Sequence, residues 1–207
     1  AMIYLCTRRK EFFPKALEFY GQMKLLKFPI HLRVHNYILQ GCSKTADLNT
    51  AIEVWNNVTE LAKADSRYTP NEFTMSSVLW SLASVETSQN KLSKRDFHYD
   101  IPVLELIKTA ETIYRQGEAL VPVNSHIANS YLAILANNLQ LEAAEAFFRD
   151  EMIETKRRTE HSYELMFKMY DTLRDLPKTL ALKAKMHEEG LIVPFEGWRA
   201  MIRTAAL

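Results

Sequence analysis

Apolar residues recur at helical spacing along most of the chain, and the stripe itself repeats. An alanine stands four residues before an aromatic at Ala16 and Tyr20, Ala51 and Trp55, Ala110 and Tyr114, and Ala144 and Phe148. Met23 and Val58 extend the first two stripes. Apolar positions at i, i+3, i+4 and i+7 trace one face of an α-helix. Successive alanines are 35, 59 and 34 residues apart. A period of this size marks stacked copies of one supersecondary unit.

Each unit reads as two helices. Val34, Tyr37, Ile38 and Cys42 form one stripe, a break falls at Thr45, Ala46 and Asp47, and Leu48, Ala51, Ile52, Trp55 and Val58 form the next. The alanine marks the expected closest approach of two helices, where a larger side chain would force the axes apart. The aromatic four residues on fills the groove against the next unit. One hairpin cannot bury both of its faces, so neighbours must stack. The predicted fold is therefore all-α, an α-solenoid of stacked antiparallel helix pairs forming a single domain over residues 1–207.

First helices are predicted to begin near Leu32, Glu72, Ser125, Glu160 and Phe195. Their register-equivalent positions are Asn36, Ser76, Asn129, Glu164 and Arg199, at steps of 40, 53, 35 and 35 residues. Two insertions account for the long steps. About five extra residues between Trp55 and Pro70 lengthen a helix or the loop after it. A polar, aliphatic-poor segment, Ser84 to Asp100, separates the two helices of one unit. Pro102 and Glu105 then predict a helix start, with proline in the first turn. The unit after Glu160 is irregular, with Thr179 for the alanine and Lys183 for the aromatic. It keeps Met186 and a helix stop from Gly190 to Pro194. Phe195 to Leu207 reads as a first helix alone and Ala1 to Arg9 as the end of another. About five repeats are thus expected, with incomplete units at both ends, as in a fragment or an array with atypical caps.

Composition narrows the function classes. Five glycines and seven prolines in 207 residues are too few for an all-β chain, which turns every ten or so residues. Cys6 and Cys42 lack disulfide or zinc spacing, so a reducing interior is expected. No apolar run approaches the roughly 18 residues of a spanning helix, and no membrane partner is expected. Net charge is +1 overall, yet residues 1–44 hold eight Lys and Arg against Glu11 and Glu18. That basic first fifth suits either a polyanion or a solvated helix face near a chain end.

Signals for catalysis are weak. His187 and Glu189 give the His-x-Glu half of a zinc-deaminase signature, but no Cys-x-x-Cys follows. Glu142, Glu145, Asp150 and Glu151 fall on the polar side of a helix rather than in a buried acid–base pair. No glycine loop suited to phosphate is present. Lys156, Arg157 and Arg158 form a short basic loop, expected to face solvent. The chain is expected to be non-catalytic, with no cofactor and no metal.

The 35-residue step resembles that of pentatricopeptide repeats. So do the first-helix run Val34-His35-Asn36-Tyr37-Ile38-Leu39, the segment Cys42-Ser43-Lys44-Thr45, the alanine–aromatic–methionine second helix and the Gly190 to Pro194 ending. Tetratricopeptide repeats would carry a Leu-Gly pair inside the first helix, whereas Gly41 is the one first-helix glycine in a full unit. The resemblance covers nearly the whole chain and implies a right-handed superhelix. It also implies an organellar protein binding single-stranded RNA, about one base per repeat.

Carried onto this chain, the base-reading pairs are Asn36 with Asn71, Ser76 with Asn124, and Asn129 with Thr159. The first pair is similar to pyrimidine-preferring ones and the second to adenine-preferring ones. The base-sandwiching positions fall on Arg33, Phe73, His126, His161 and Glu196. The phosphate-approaching lysine is matched by Lys44 and Arg9, but replaced by Ser84, Asn137 and Thr172. Glu164 sets a carboxylate at a reading position. The implied setting is a mitochondrion, or alternatively a chloroplast, and the implied role is RNA processing, editing, stability or translation. The other reading is a scaffold making mainly protein contacts in a mitochondrial ribosome or RNA-processing complex. The small net charge, Glu164, Lys183 and the polar insertion favour that reading.

Overall fold

The computed structural model describes residues 2–85, 101–152 and 157–206, and every regular element among them is helical. Most of the predicted insertion, residues 86–100, lies outside the described residues, as does Lys156. No helix among the described residues is long and apolar enough to cross a membrane. The chain forms two compact units, residues 1–131 and 132–207.

The first unit holds α1 (Met2–Cys6), a 3-10 turn (Lys10–Phe12), α2 (Phe13–Leu25), α3 (Leu32–Thr45) and α4 (Leu48–Ala64). It continues with α5 (Glu72–Ala83), α6 (Val103–Glu118) and the start of α7 (Ser125–Asn137). Helices pack on their chain neighbour and on the next but one: α3 touches α1, α2, α4 and α5, and α5 touches α3, α4 and α6. The alanines explain this closeness. Ala16, Ala51 and Ala110 are wholly buried, and Tyr20, Trp55 and Tyr114 are buried one turn later. Each of these aromatics sits in the seam ahead. The Tyr20 hydroxyl lies 2.8 Å from His35 Nδ1, and Tyr114 stacks on Tyr131 at 4.6 Å. Gly41 lies against the Phe13 ring edge, where a Cβ would collide with it.

The second unit holds α8 (Leu141–Ala146), which widens into a π-helical turn over Phe147–Glu151, then α9 (Glu160–Leu173), α10 (Leu176–Glu188) and α11 (Phe195–Ala205). Helix α9 packs on α10 and α11, and α10 on α11. Ala144 is buried and Phe148 meets Tyr163 edge to face at 5.2 Å. Thr179 is buried in the alanine slot because its hydroxyl donates to the Asp175 carbonyl at 2.7 Å, which satisfies the added polar atom. Lys183, in the aromatic slot, holds its ammonium 4.9 Å from the centre of the Trp198 ring.

All five first helices start where the sequence predicts, at Leu32, Glu72, Ser125, Glu160 and Phe195. The extra residues after Trp55 extend α4 to Ala64 and then form the 3-10 turn Ser66–Tyr68. Three hairpins share one turn. Helices α3, α7 and α9 are each followed by a left-handed residue, Ala46, Leu139 or Arg174. The next amide bonds back five residues, from Asp47 to Cys42, Gln140 to Leu135 and Asp175 to Tyr170. A leucine then opens the second helix at Leu48, Leu141 and Leu176. Two residues link α3 to α4 and α9 to α10, and three link α7 to α8.

Candidate functional site

The candidate residues sit on the first helices and at their starts. Asn71 is the N-cap of α5: its Oδ1 accepts from the Thr74 amide at 3.0 Å, while Thr74 Oγ1 accepts from the Asn71 amide at 3.2 Å. Asn36, buried one turn into α3, donates from Nδ2 to Asn71 Oδ1 at 3.4 Å. Its Oδ1 accepts from the Thr74 hydroxyl at 2.8 Å. Residues 35 apart in sequence thus meet as a hydrogen-bonded pair. An amide offers two donors and two lone pairs, so Asn36 keeps one of each beyond these bonds.

Ser76 and Asn124 are held separately. The Ser76 hydroxyl donates to its own helix, at the Phe73 carbonyl (3.4 Å). Asn124 Oδ1 accepts from the Ile127 amide at 3.0 Å, and its Nδ2 donates to Glu72 at 2.7 Å. The Glu72 carboxylate therefore sits one turn before Ser76. In the third pair, Asn129 is buried in α7 within the first compact unit. Thr159, in the second, caps α9 in a box with Ser162, whose Oγ accepts from the Thr159 amide at 2.9 Å. The second member of each pair, at 71, 124 and 159, thus stands immediately before a first helix, where a short polar side chain is wanted for capping alone.

Around these groups, Arg33 is exposed on α3 and Phe73 is 44 % exposed on α5. Trp80, 41 % exposed, shares a face with Phe73 and Ser76 at spacing i, i+3 and i+7. Sequence reasoning missed it, although an aromatic seven residues after Phe73 is the available signal. Arg9 is exposed beside the 3-10 turn. Lys44 turns inward, its ammonium 3.0 Å from the Thr7 carbonyl and 3.4 Å from that of Arg8, so its charge complements the end of α1. Of the other sandwiching positions, His126 is exposed and His161 holds Glu164 at 3.0 Å. Glu196 pairs with Arg199 at 2.6 Å.

Two titratable groups behave differently from surface residues. His35, behind Asn36, is buried between Tyr20 and Tyr68. Burial, with Lys24 nearby, lowers its pKa to about 4, against the weaker pull of the Ile30 carbonyl. The imidazole is therefore neutral, and its Nδ1 shares a hydrogen bond with the Tyr20 hydroxyl. Arg158 corrects an expectation, because it does not face solvent. Its guanidinium lies 5.0 Å from the Phe148 ring and 5.2 Å from that of Tyr163, and it pairs with Glu189. The two rings replace water and the carboxylate supplies the counter-charge, while burial lowers its pKa.

A cleft of about 490 Å³ opens between α4 and α6, lined by Asn56, Thr59, Lys63, Gln116 and Leu120 among others. Behind it the Trp55 indole donates to Gln116 at 3.3 Å. It lies on second helices and includes none of the residues predicted to bind RNA. Among the described residues no three His, Cys, Asp or Glu side chains group as metal ligands. Comparison with protein-family models and with curated proteins gave no match.

Proposed function

We propose that this chain is a right-handed α-solenoid of the pentatricopeptide-repeat kind that binds single-stranded RNA without catalysing a reaction. The proposed setting is a mitochondrion, with a chloroplast as the alternative. The observation that carries the reading is the meeting of Asn36 with Asn71 next to the exposed Phe73 and Trp80 rings and the half-buried Ser76. Bases stack on the two rings, amide and hydroxyl groups meet base edges, and Arg33 with Arg9 holds phosphates. Base–aromatic stacking accepts any base and is worth about 1–3 kcal/mol per base by alanine substitution.

Titration of labelled single-stranded RNA across a salt series tests this. Affinity is expected to fall steeply with salt, because bound phosphates release counterions. Arg33→Ala should weaken all sequences alike and reduce the salt slope by about one. Phe73→Ala and Trp80→Ala should each cost about 1–3 kcal/mol of binding. Absence of binding at low salt, or binding indifferent to all three changes, contradicts the proposal.

Two observations favour the scaffold reading, with mainly protein contacts in a ribosomal or RNA-processing complex. The Lys44 charge is taken up by carbonyls of the α1 end, and the Glu72 carboxylate occupies the approach to Asn124.

A further inference from the structure

The bond between Glu72 and Asn124 makes a patterned polar edge where two first helices start. Both residues belong to the first compact unit. Glu72 opens α5, and Asn124 stands immediately before α7. The cap on α7 fixes which way the Asn124 amide points. Its Oδ1 accepts from the Ile127 amide at 3.0 Å, so Nδ2 turns to Glu72 Oε2, at 2.7 Å. That contact uses one of the two Nδ2 hydrogens and one of the lone pairs on Oε2. The second carboxylate oxygen, Oε1, makes no bond among the described residues.

Along the pair run a donor on Asn124 and then two acceptors, Oε2 and Oε1. Donor, acceptor, acceptor is also the order on the pairing edge of cytosine, and guanine complements it. Guanine O6 accepts, while N1–H and N2–H donate. The other bases match this edge only in part. Adenine and cytosine each bring one amino donor beside one ring acceptor, which leaves Oε1 unpaired. Uracil brings N3–H alone and sets a carbonyl against Oε1. A polar group left unpaired under a stacked base costs binding. Phe73 and Ser76 follow Glu72 by one and four positions, so an exposed ring for stacking lies beside the edge. The Ser76 hydroxyl is turned to the Phe73 carbonyl, which leaves the choice of base to Glu72 and Asn124.

We infer that the Glu72–Asn124 pair selects guanine in the bound strand. The inference rests on the single-stranded RNA reading above. It replaces the adenine preference that the family resemblance implies for Ser76 with Asn124.

The test follows the anisotropy of short labelled oligouridine RNAs on the whole chain. Each carries one central guanine, adenine, cytosine or inosine, or uracil throughout. Guanine should bind about tenfold tighter than adenine, cytosine or uracil, the scale of one matched base contact. Inosine keeps O6 and N1–H but lacks the N2 amine, and should fall between. Glu72→Gln exchanges one acceptor oxygen for a donor amide and should erase the guanine advantage. That loss assigns the preference to this edge rather than to Asn36 with Asn71. Because Glu72 is exposed, the variant should keep a urea midpoint close to that of the parent. A guanine advantage that survives Glu72→Gln would overturn the inference, even with every RNA bound more tightly, since the carboxylate would then only repel phosphates. Equal binding of all the bases, or a preference for adenine, would overturn it and leave the RNA reading intact. Binding to none of the RNAs would overturn both.

Discussion

Replacing Trp55 by alanine is expected to cost about 3–5 kcal/mol of stability, the range for truncating a buried aromatic. Trp55 is 0 % exposed, stands one turn after the close contact at Ala51, and donates its indole N–H to Gln116. Truncation leaves a cavity between packed helices and strips Gln116 of its partner. The contrast is Trp80, 41 % exposed on α5, where Trp80→Ala should cost much less than the change at Trp55, as for more exposed positions. Urea unfolding of both variants measures the difference through the midpoint at unchanged slope. Equal losses at the two tryptophans would mean that the alanine–aromatic stripe is not the core.

Acid should weaken the fold through His35. Its folded pKa, about 4, lies below the ordinary 6.5 because burial favours the neutral ring. Above pH 6.5 both folded and unfolded chains hold it neutral, and its contribution is complete. Between 6.5 and 4 the unfolded chain takes up the proton and the folded chain does not, so stability falls as pH falls. Below 4 the loss levels off at about 3 kcal/mol, the free energy of that pKa difference. Urea midpoints across this interval should trace the decline. His35→Gln should flatten it, whatever that change does to stability at neutral pH. A parent profile without slope between 6.5 and 4 would show that the ring is protonated in place at little cost.

Much of the fold was legible because its signals are local and repeated. Ala16, Ala51, Ala110 and Ala144 each precede an aromatic by one turn, and every one is buried. The helix starts follow from the same register. The turns were less legible, since Leu139 and Arg174 take a left-handed conformation usually marked by glycine or asparagine. The π-helical turn at Phe147–Glu151 had no advance signal of any kind.

The candidate site was legible only as positions. Spacing located Asn36 and Asn71, but their bond depends on how α3 packs on α5, and the Thr74 hydroxyl joins them through a cap. Arg158 looked like a loop cation because nothing near it in sequence reveals Phe148 and Tyr163. Lys44 matched a phosphate-binding position, while the fold sets the Thr7 and Arg8 carbonyls in front of its ammonium.

Photo-crosslinking of single-stranded RNA carrying 5-iodouridine, followed by peptide mapping, tests the central claim most directly. Adducts should fall on α5, at Phe73 and Trp80. Adducts confined to the α4–α6 cleft around Asn56 and Gln116, or no adducts at all, would contradict it.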